Sequence, residues 1–128
     1  MCLITLQKGE DMPYKVTFYD LSDGSFPAYD FIEEQSPKMN QKIYRTIGLL
    51  EAVGPQLRMP YSKHLDDGIF ELRMELGSDI TRVLYFFVVD KKVVLTHGFV
   101  KKTQKTPPSE IVRAKKYRDD YLARHKED

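Results

Sequence analysis

The feature that most constrains this fold is a change of periodicity after Gly68, where apolar and charged residues begin to alternate one by one. This pattern is typical of a strand with one buried and one charged face, and it comprises Phe70, Leu72, Met74 and Leu76 against Glu71, Arg73 and Glu75. Two turn segments, residues 77–79 and 90–92, separate it from two further β-type segments, residues 81–89 and 93–100. Three strands joined by tight turns predict an antiparallel meander, with the doubly apolar middle strand at its centre.

The rest of the chain predicts one strand and two helices before the meander and one helix after it. The strand covers residues 14–19, Ser25 caps a short helix, a second helix runs from Ser36-Pro37 to Gly54-Pro55, and the last begins at Thr106-Pro107. We therefore expect a small α+β fold, in which an N-terminal helical hairpin and a C-terminal helix lie on one side of an antiparallel sheet.

Length and composition indicate one compact domain over residues 1–128, since 41% of the residues are hydrophobic and 30% are charged. Residues 1–11 fit this plan poorly and are interpreted as an N-terminal extension, with Met12 as an alternative start. The longest apolar run, residues 83–89, is too short to span a membrane, and no signal-peptide pattern is visible, which predicts a cytoplasmic protein. Cys2 is the only cysteine, which excludes an intramolecular disulfide.

Charge is unevenly distributed along the chain, although the net charge is only +1. Residues 56–118 carry 13 basic and 7 acidic side chains, whereas the segments on either side are net negative. A basic middle segment predicts contact with a polyanion. The alternative is a mixed surface on which the charges cluster by chance.

The residues that could carry chemistry are cations on and beside the predicted strands. The sequence has no Gly-rich phosphate loop or nucleophile motif, and its three histidines lack metal-ligand spacing, so neither a cofactor nor a metal ion is expected. Outward side chains of neighbouring strands share a face, which is expected to gather Lys63, His64, Arg73, Arg82, Lys101, Lys102 and Lys105. Such a concentration of like charge is typical of a surface that binds phosphate.

Arg73 and two further residues, His97 and Tyr85, could each have a functional or a purely structural role. Arg73 lies between two glutamates on the same strand face, so an ion pair would also explain it. His97 shares the parity of Leu95, which favours a buried, hydrogen-bonded histidine unless a bulge at Gly98 re-aims it. Tyr85 could stack on a base, or it could belong to the core with its hydroxyl bonded.

Four stretches of the sequence carry a resemblance to a known family: residues 61–65 (YSKHL), 69–73 (IFELR), 82–85 (RVLY) and 96–107 (THGFVKKTQKTP). The chain resembles the RelE/HigB superfamily of bacterial type II toxins, and most of all its phage-derived Gp49-like (HigB-type) branch. The similarity runs from Met12 to about Tyr121. It implies a compact RelE-like fold, an endoribonuclease that cleaves mRNA on the translating ribosome, and neutralisation by a small antitoxin.

The resemblance also implies roles for individual residues. Arg73 and Arg82 match two basic positions of the catalytic face, and Lys101 or Lys102 matches a basic position after the last strand; the catalytic role is assigned to Lys102. Where some family members have a lysine two residues before the arginine, this chain has Glu71, so their proton-transfer scheme does not carry over unchanged. The residues expected to bind RNA are Lys63, His64, Tyr85, His97, Lys101 and Lys105.

Two other functions remain open from the sequence. The ParE-like branch of the superfamily shares the fold but targets DNA gyrase, and a noncatalytic RNA-binding regulator would also carry basic strands with aromatic residues. The retained arginines and lysines favour the metal-independent nuclease. Its implied partners are mRNA on the ribosome and a HigA-like helix-turn-helix antitoxin, through which the complex would bind operator DNA; no membrane contact is expected.

Overall fold

The computed structural model describes residues 14–102 and 105–126. In chain order its elements are β1 (Lys15–Phe18), α1 (Pro27–Glu33), α2 (Pro37–Val53), a 3₁₀ turn (Gly54–Gln56), β2 (Ser62–Asp66), β3 (Ile69–Leu76), β4 (Asp79–Val88), β5 (Lys92–Val100) and α3 (Pro108–Arg124). The predicted α+β class and the C-terminal helix are confirmed. The predicted N-terminal extension lies outside the described residues.

The five strands form one sheet in the order β1-β5-β4-β3-β2. β3, β4 and β5 are the predicted antiparallel meander, β2 pairs antiparallel with β3, and β1 pairs parallel with β5. The sequence does not predict β2, because this edge strand is polar at most positions and lacks apolar alternation. The sheet therefore has one strand more than expected.

The helices cover both faces of the sheet, which corrects the prediction that they lie on one side. Val83 on β4 belongs to a buried cluster with Ile43 on α2, whereas its neighbour Leu84 belongs to a second cluster with Ala114 on α3. Successive strand residues point to opposite faces. Because β4 is apolar on both faces, each face needs its own helical cover.

The predicted N-cap is confirmed for α2 but not for α1. Ser36 is the N-cap of α2, and its hydroxyl oxygen accepts the backbone N–H of Met39, as the sequence indicated. Ser25 is not the N-cap of α1: Phe26 takes the cap position, and the Ser25 hydroxyl donates to the Asp23 carboxylate at 2.6 Å. Local turn chemistry therefore moves the start of α1 by one residue.

A β-bulge in β5 changes which side chains face which side of the sheet. Leu84 pairs with His97, but the next β4 residue, Tyr85, pairs with Leu95, so Thr96 is an additional residue. The Thr96 hydroxyl donates to the Leu84 carbonyl at 3.2 Å. His97 therefore lies on the face opposite to Leu95, which corrects the parity predicted for it.

Candidate active site

Arg73 and Arg82 lie directly opposite each other on β3 and β4. Residues paired in this way have their side chains on the same face of an antiparallel sheet. That face bears a pocket of about 670 Å³, which both arginines line together with Glu75, Ser78, Ile80, Lys101 and Lys102. The structure thus brings four of the predicted cations, two arginines and two lysines, to one place.

A buried carboxylate lies between the two arginines. The Glu71 side chain is 1% exposed, with Oε2 2.8 Å from Nη1 of Arg73 and Oε1 3.6 Å from Nε of Arg82. The hydroxyl of Thr106, just before α3, donates a hydrogen bond to the same Oε1. The ion pair offered as the structural explanation of Arg73 is therefore present. It leaves other N–H groups of Arg73 available to a ligand, because a guanidinium carries five and this side chain remains 16% exposed.

Arg82 is a charged group held almost entirely inside the protein, with a side chain only 2% exposed. Its Nη1 donates to the Thr81 carbonyl at 3.0 Å, and its Nη2 lies 3.7 Å from the Glu75 carboxylate. Burial lowers the pKa of Arg82, and the nearby charge of Arg73 lowers it further. An arginine stays protonated in proteins even so, which makes Arg82 a fixed positive charge beside the pocket.

Lys101 and Lys102 line the same pocket but differ in burial. Lys101 is 8% exposed and its backbone N–H donates to the Ile80 carbonyl at 2.8 Å, whereas Lys102 is exposed. Burial lowers the pKa of the Lys101 ammonium, with a further contribution from Arg82. A lowered pKa suits proton transfer. The environment suited to proton transfer is therefore that of Lys101, whereas the sequence assigned the catalytic role to Lys102.

A smaller pocket of about 220 Å³ shares Lys101 with the first one. Besides Lys101, three other residues predicted to bind RNA line it: Lys63, His64 and Lys105. The His64 Nε2 accepts the backbone N–H of Gly68 at 3.3 Å. These residues therefore flank the arginine pair without entering its pocket.

Tyr85 and His97, both expected to bind RNA, are buried at 1% and 2% exposure, so their side chains offer almost no surface to a ligand. Tyr85 lies in the cluster under α1 and α2, where its hydroxyl is 2.5 Å from that of Ser62 and burial raises its pKa to about 12. The His97 Nε2 is 2.9 Å from the Glu110 carboxylate on α3, and burial lowers the pKa of His97. The structural alternatives for both residues are confirmed.

Sequence reasoning assigns no role to Tyr61, which lies next to the site. Its carbonyl accepts the backbone N–H of Arg73 at 2.8 Å, and the residue is 45% exposed. The position of Tyr61 opposite Arg73 would have indicated its importance. That position follows from the pairing of β2 with β3, and the sequence does not predict β2.

Two further observations concern metal ligands and the length of the helices. Within residues 14–102 and 105–126, no group of three or more His, Cys, Asp or Glu side chains is placed to hold a metal ion. None of the helices in that part of the chain is long and apolar enough to cross a membrane.

Comparison with protein families gives this arrangement a context. The family model for the phage-derived Gp49-like proteins matches residues 30–119, a span that contains Arg73, Arg82 and Lys101. The chain therefore belongs to the Gp49-like family, which is a RelE/HigB-like toxin family. A comparison with curated proteins found no match.

Proposed function

We propose that this chain is the toxin of a type II toxin–antitoxin system and that it cleaves mRNA on the translating ribosome. Membership of the family supports the toxin role. The nuclease role rests on one observation, that Arg73, Arg82 and Lys101 line a single pocket. Two guanidinium groups offer planar donors to a phosphate, and the lysine beside them has a lowered pKa.

The proposed reaction is an attack of a ribose 2′-hydroxyl on the adjacent phosphorus. The new P–O bond forms as the bond to the 5′-oxygen breaks, which leaves a 2′,3′-cyclic phosphate and a 5′-hydroxyl. Arg73 and Arg82 stabilise the negative charge of the transition state. Lys101 donates a proton to the leaving 5′-oxygen, while the proton of the attacking hydroxyl passes to water. This scheme uses no metal ion and no other cofactor.

The surrounding cations support binding of the RNA backbone in this proposal. Lys102 lies at the pocket of the arginine pair, and Lys63, His64 and Lys105 line the adjoining one, so phosphates on either side of the cleaved bond meet positive charge. The pocket supplies charge but little surface that would align free RNA. We therefore assign alignment of the scissile phosphate to the ribosome.

The proposed partner is a HigA-like helix-turn-helix antitoxin that covers the basic face, or holds it out of reach, while the complex binds operator DNA. Acidic side chains on the antitoxin would complement the cations and speed association. Cleavage would then reappear when the antitoxin is removed, and association would weaken as salt is raised.

The direct test is cleavage of a defined mRNA, mapped by primer extension, with and without programmed ribosomes. We expect cleavage on ribosomes and much less on the same RNA alone. Equal cleavage of naked RNA would contradict the ribosome dependence. Binding without cleavage would favour a noncatalytic RNA-binding regulator, and inhibition of DNA gyrase without RNA cleavage would favour the ParE-like activity.

A further inference from the structure

Tyr61 continues the row formed by the two arginines across the sheet. The backbone N–H of Arg73 donates to the Tyr61 carbonyl, and the next residue along, Ser62, pairs with Leu72. Tyr61 therefore occupies the register position opposite Arg73, as Arg82 does on the other side of β3. An aromatic residue is thus placed beside the proposed phosphate site.

A pocket of about 200 Å³ lies next to Tyr61 and shares two residues with the pocket of the arginine pair. Its lining consists of Lys42, Thr46, Pro60, Tyr61, Arg73 and Glu75. The shared residues are Arg73 and Glu75, so the two pockets meet at the guanidinium proposed to hold the phosphate. A group bound in this pocket would therefore lie next to the phosphate that Arg73 is proposed to hold.

The lining has the chemistry of a site for a planar, uncharged ring. Pro60 and the exposed Tyr61 ring offer apolar surface, and among the described residues no hydrogen bond or ring contact of the Tyr61 side chain occurs. The Glu75 carboxylate, 59% exposed, disfavours a second phosphate and favours the N–H groups of a base edge. Lys42 provides a cation at the rim for the backbone of the same nucleotide.

We propose that this pocket binds the nucleobase next to the scissile phosphate, with the base stacked on the Tyr61 ring. The proposal rests on the proposed function, because it takes single-stranded RNA as the substrate. Aromatic side chains that stack on unpaired bases contribute to RNA affinity with little dependence on sequence. Tyr61 is accordingly a binding residue for the base and has no part in proton transfer.

The test measures single-turnover cleavage on programmed ribosomes over a range of toxin concentrations. We expect Tyr61→Ala to raise the half-saturating concentration about tenfold and to leave the maximal rate within about twofold. Tyr61→Phe keeps the ring and should behave like the parent. The matched control is Tyr29→Ala on α1, because Tyr29 has a similar exposure of 42% but its ring packs against Phe18, and this variant should also match the parent.

A second measurement reports stacking without cleavage. The mRNA carries the fluorescent base 2-aminopurine next to a 2′-O-methyl group that blocks the reaction, and stacking on an aromatic ring quenches its emission. Quenching by the parent and by Tyr61→Phe, and its loss with Tyr61→Ala, would support the base site. Equal quenching by Tyr61→Ala, no quenching by the parent, or a fall only in the maximal rate would overturn it. Absence of cleavage by the parent would instead refute the proposed nuclease, whatever the fluorescence shows.

Discussion

The Nη1 of Arg73 lies 2.8 Å from Oε2 of Glu71, a carboxylate that the protein buries to 1% exposure. One side of the guanidinium is therefore anchored to the sheet, while the side chain still reaches the surface. A buried carboxylate at this position limits the rotation of the long arginine side chain. The arginine can then meet a phosphate with little further loss of conformational entropy.

Replacing Arg73 by lysine tests whether the planar guanidinium matters or only its charge. Arg73→Lys keeps the positive charge but loses the bidentate donor geometry, so we expect single-turnover cleavage on ribosomes to fall about 100-fold. Thermal unfolding of the same variant should remain close to that of the parent. Cleavage at the parental rate would show that Arg73 acts only through its ion pair with Glu71.

Replacing Glu71 by glutamine tests the carboxylate that lies between the arginines. Glu71→Gln removes the buried negative charge that lies between Arg73 and the buried Arg82, so the free energy of unfolding should fall by about 3 kcal/mol in urea denaturation. The matched variant is Glu75→Gln, because that carboxylate is 59% exposed and should contribute less than about 1 kcal/mol. Equal effects of the two substitutions would argue against a special role for Glu71.

Substitution of Lys101 and substitution of Lys102 are expected to affect the pH dependence of cleavage differently. If protonated Lys101 donates to the leaving oxygen, the rate falls as pH rises through its pKa, and burial places this fall at a lower pH than for an ordinary lysine. Lys101→Gln should lose this alkaline limb and lower the rate about 100-fold. Lys102→Gln should retain the fall in rate at high pH. The measurement is a pH profile of single-turnover rates. If the fall at high pH is instead lost in Lys102→Gln, Lys102 is the proton donor.

Lys105 is expected to act on binding, because it lines the pocket that adjoins the arginine pair. Lys105→Ala should raise the half-saturating toxin concentration while leaving the maximal cleavage rate nearly unchanged. The slope of log affinity against log salt should become shallower by about one, which is the change expected for the loss of one phosphate contact. A salt titration of ribosome binding measures this, and an unchanged slope would exclude the contact.

Replacing Tyr85 by phenylalanine tests whether this residue belongs to the core, where the structure places it, or binds RNA, as the sequence suggested. Tyr85→Phe removes the hydroxyl bonded to Ser62 in the core, so the free energy of unfolding should fall by about 1 kcal/mol while cleavage and RNA binding stay at parental values. Weaker RNA binding at unchanged stability would contradict the buried position of this side chain.

The central strands were predictable because amphipathic alternation and tight turns are encoded locally. The same reasoning finds Arg73 and Arg82, since polar residues on strands of opposite direction meet across the turn. It does not find β2, because an edge strand buries few side chains and needs no apolar pattern. Without β2, the position of Tyr61 opposite Arg73 could not be anticipated.

The face on which Tyr85 lies could not be read from periodicity either. Its strand is apolar on both sides, so the pattern does not distinguish the residues under α1 and α2 from those under α3. Only the tertiary arrangement, with Tyr85 packed against Phe70 and bonded to Ser62, decides that it is a core residue.

The additional residue Thr96 determines whether Lys101 or Lys102 lies on the same face of the sheet as Arg82. From the pair Phe86–Val94 to the pair Arg82–Phe99, β4 advances by four residues and β5 by five. Regular pairing would place Lys102 on the face of Arg82, and the bulge places Lys101 there instead. Two relatives with the same Lys-Lys dipeptide, one with the bulge and one without it, would therefore present different lysines to the phosphate. An alignment that leaves β5 ungapped would match residues whose side chains lie on opposite sides of the sheet.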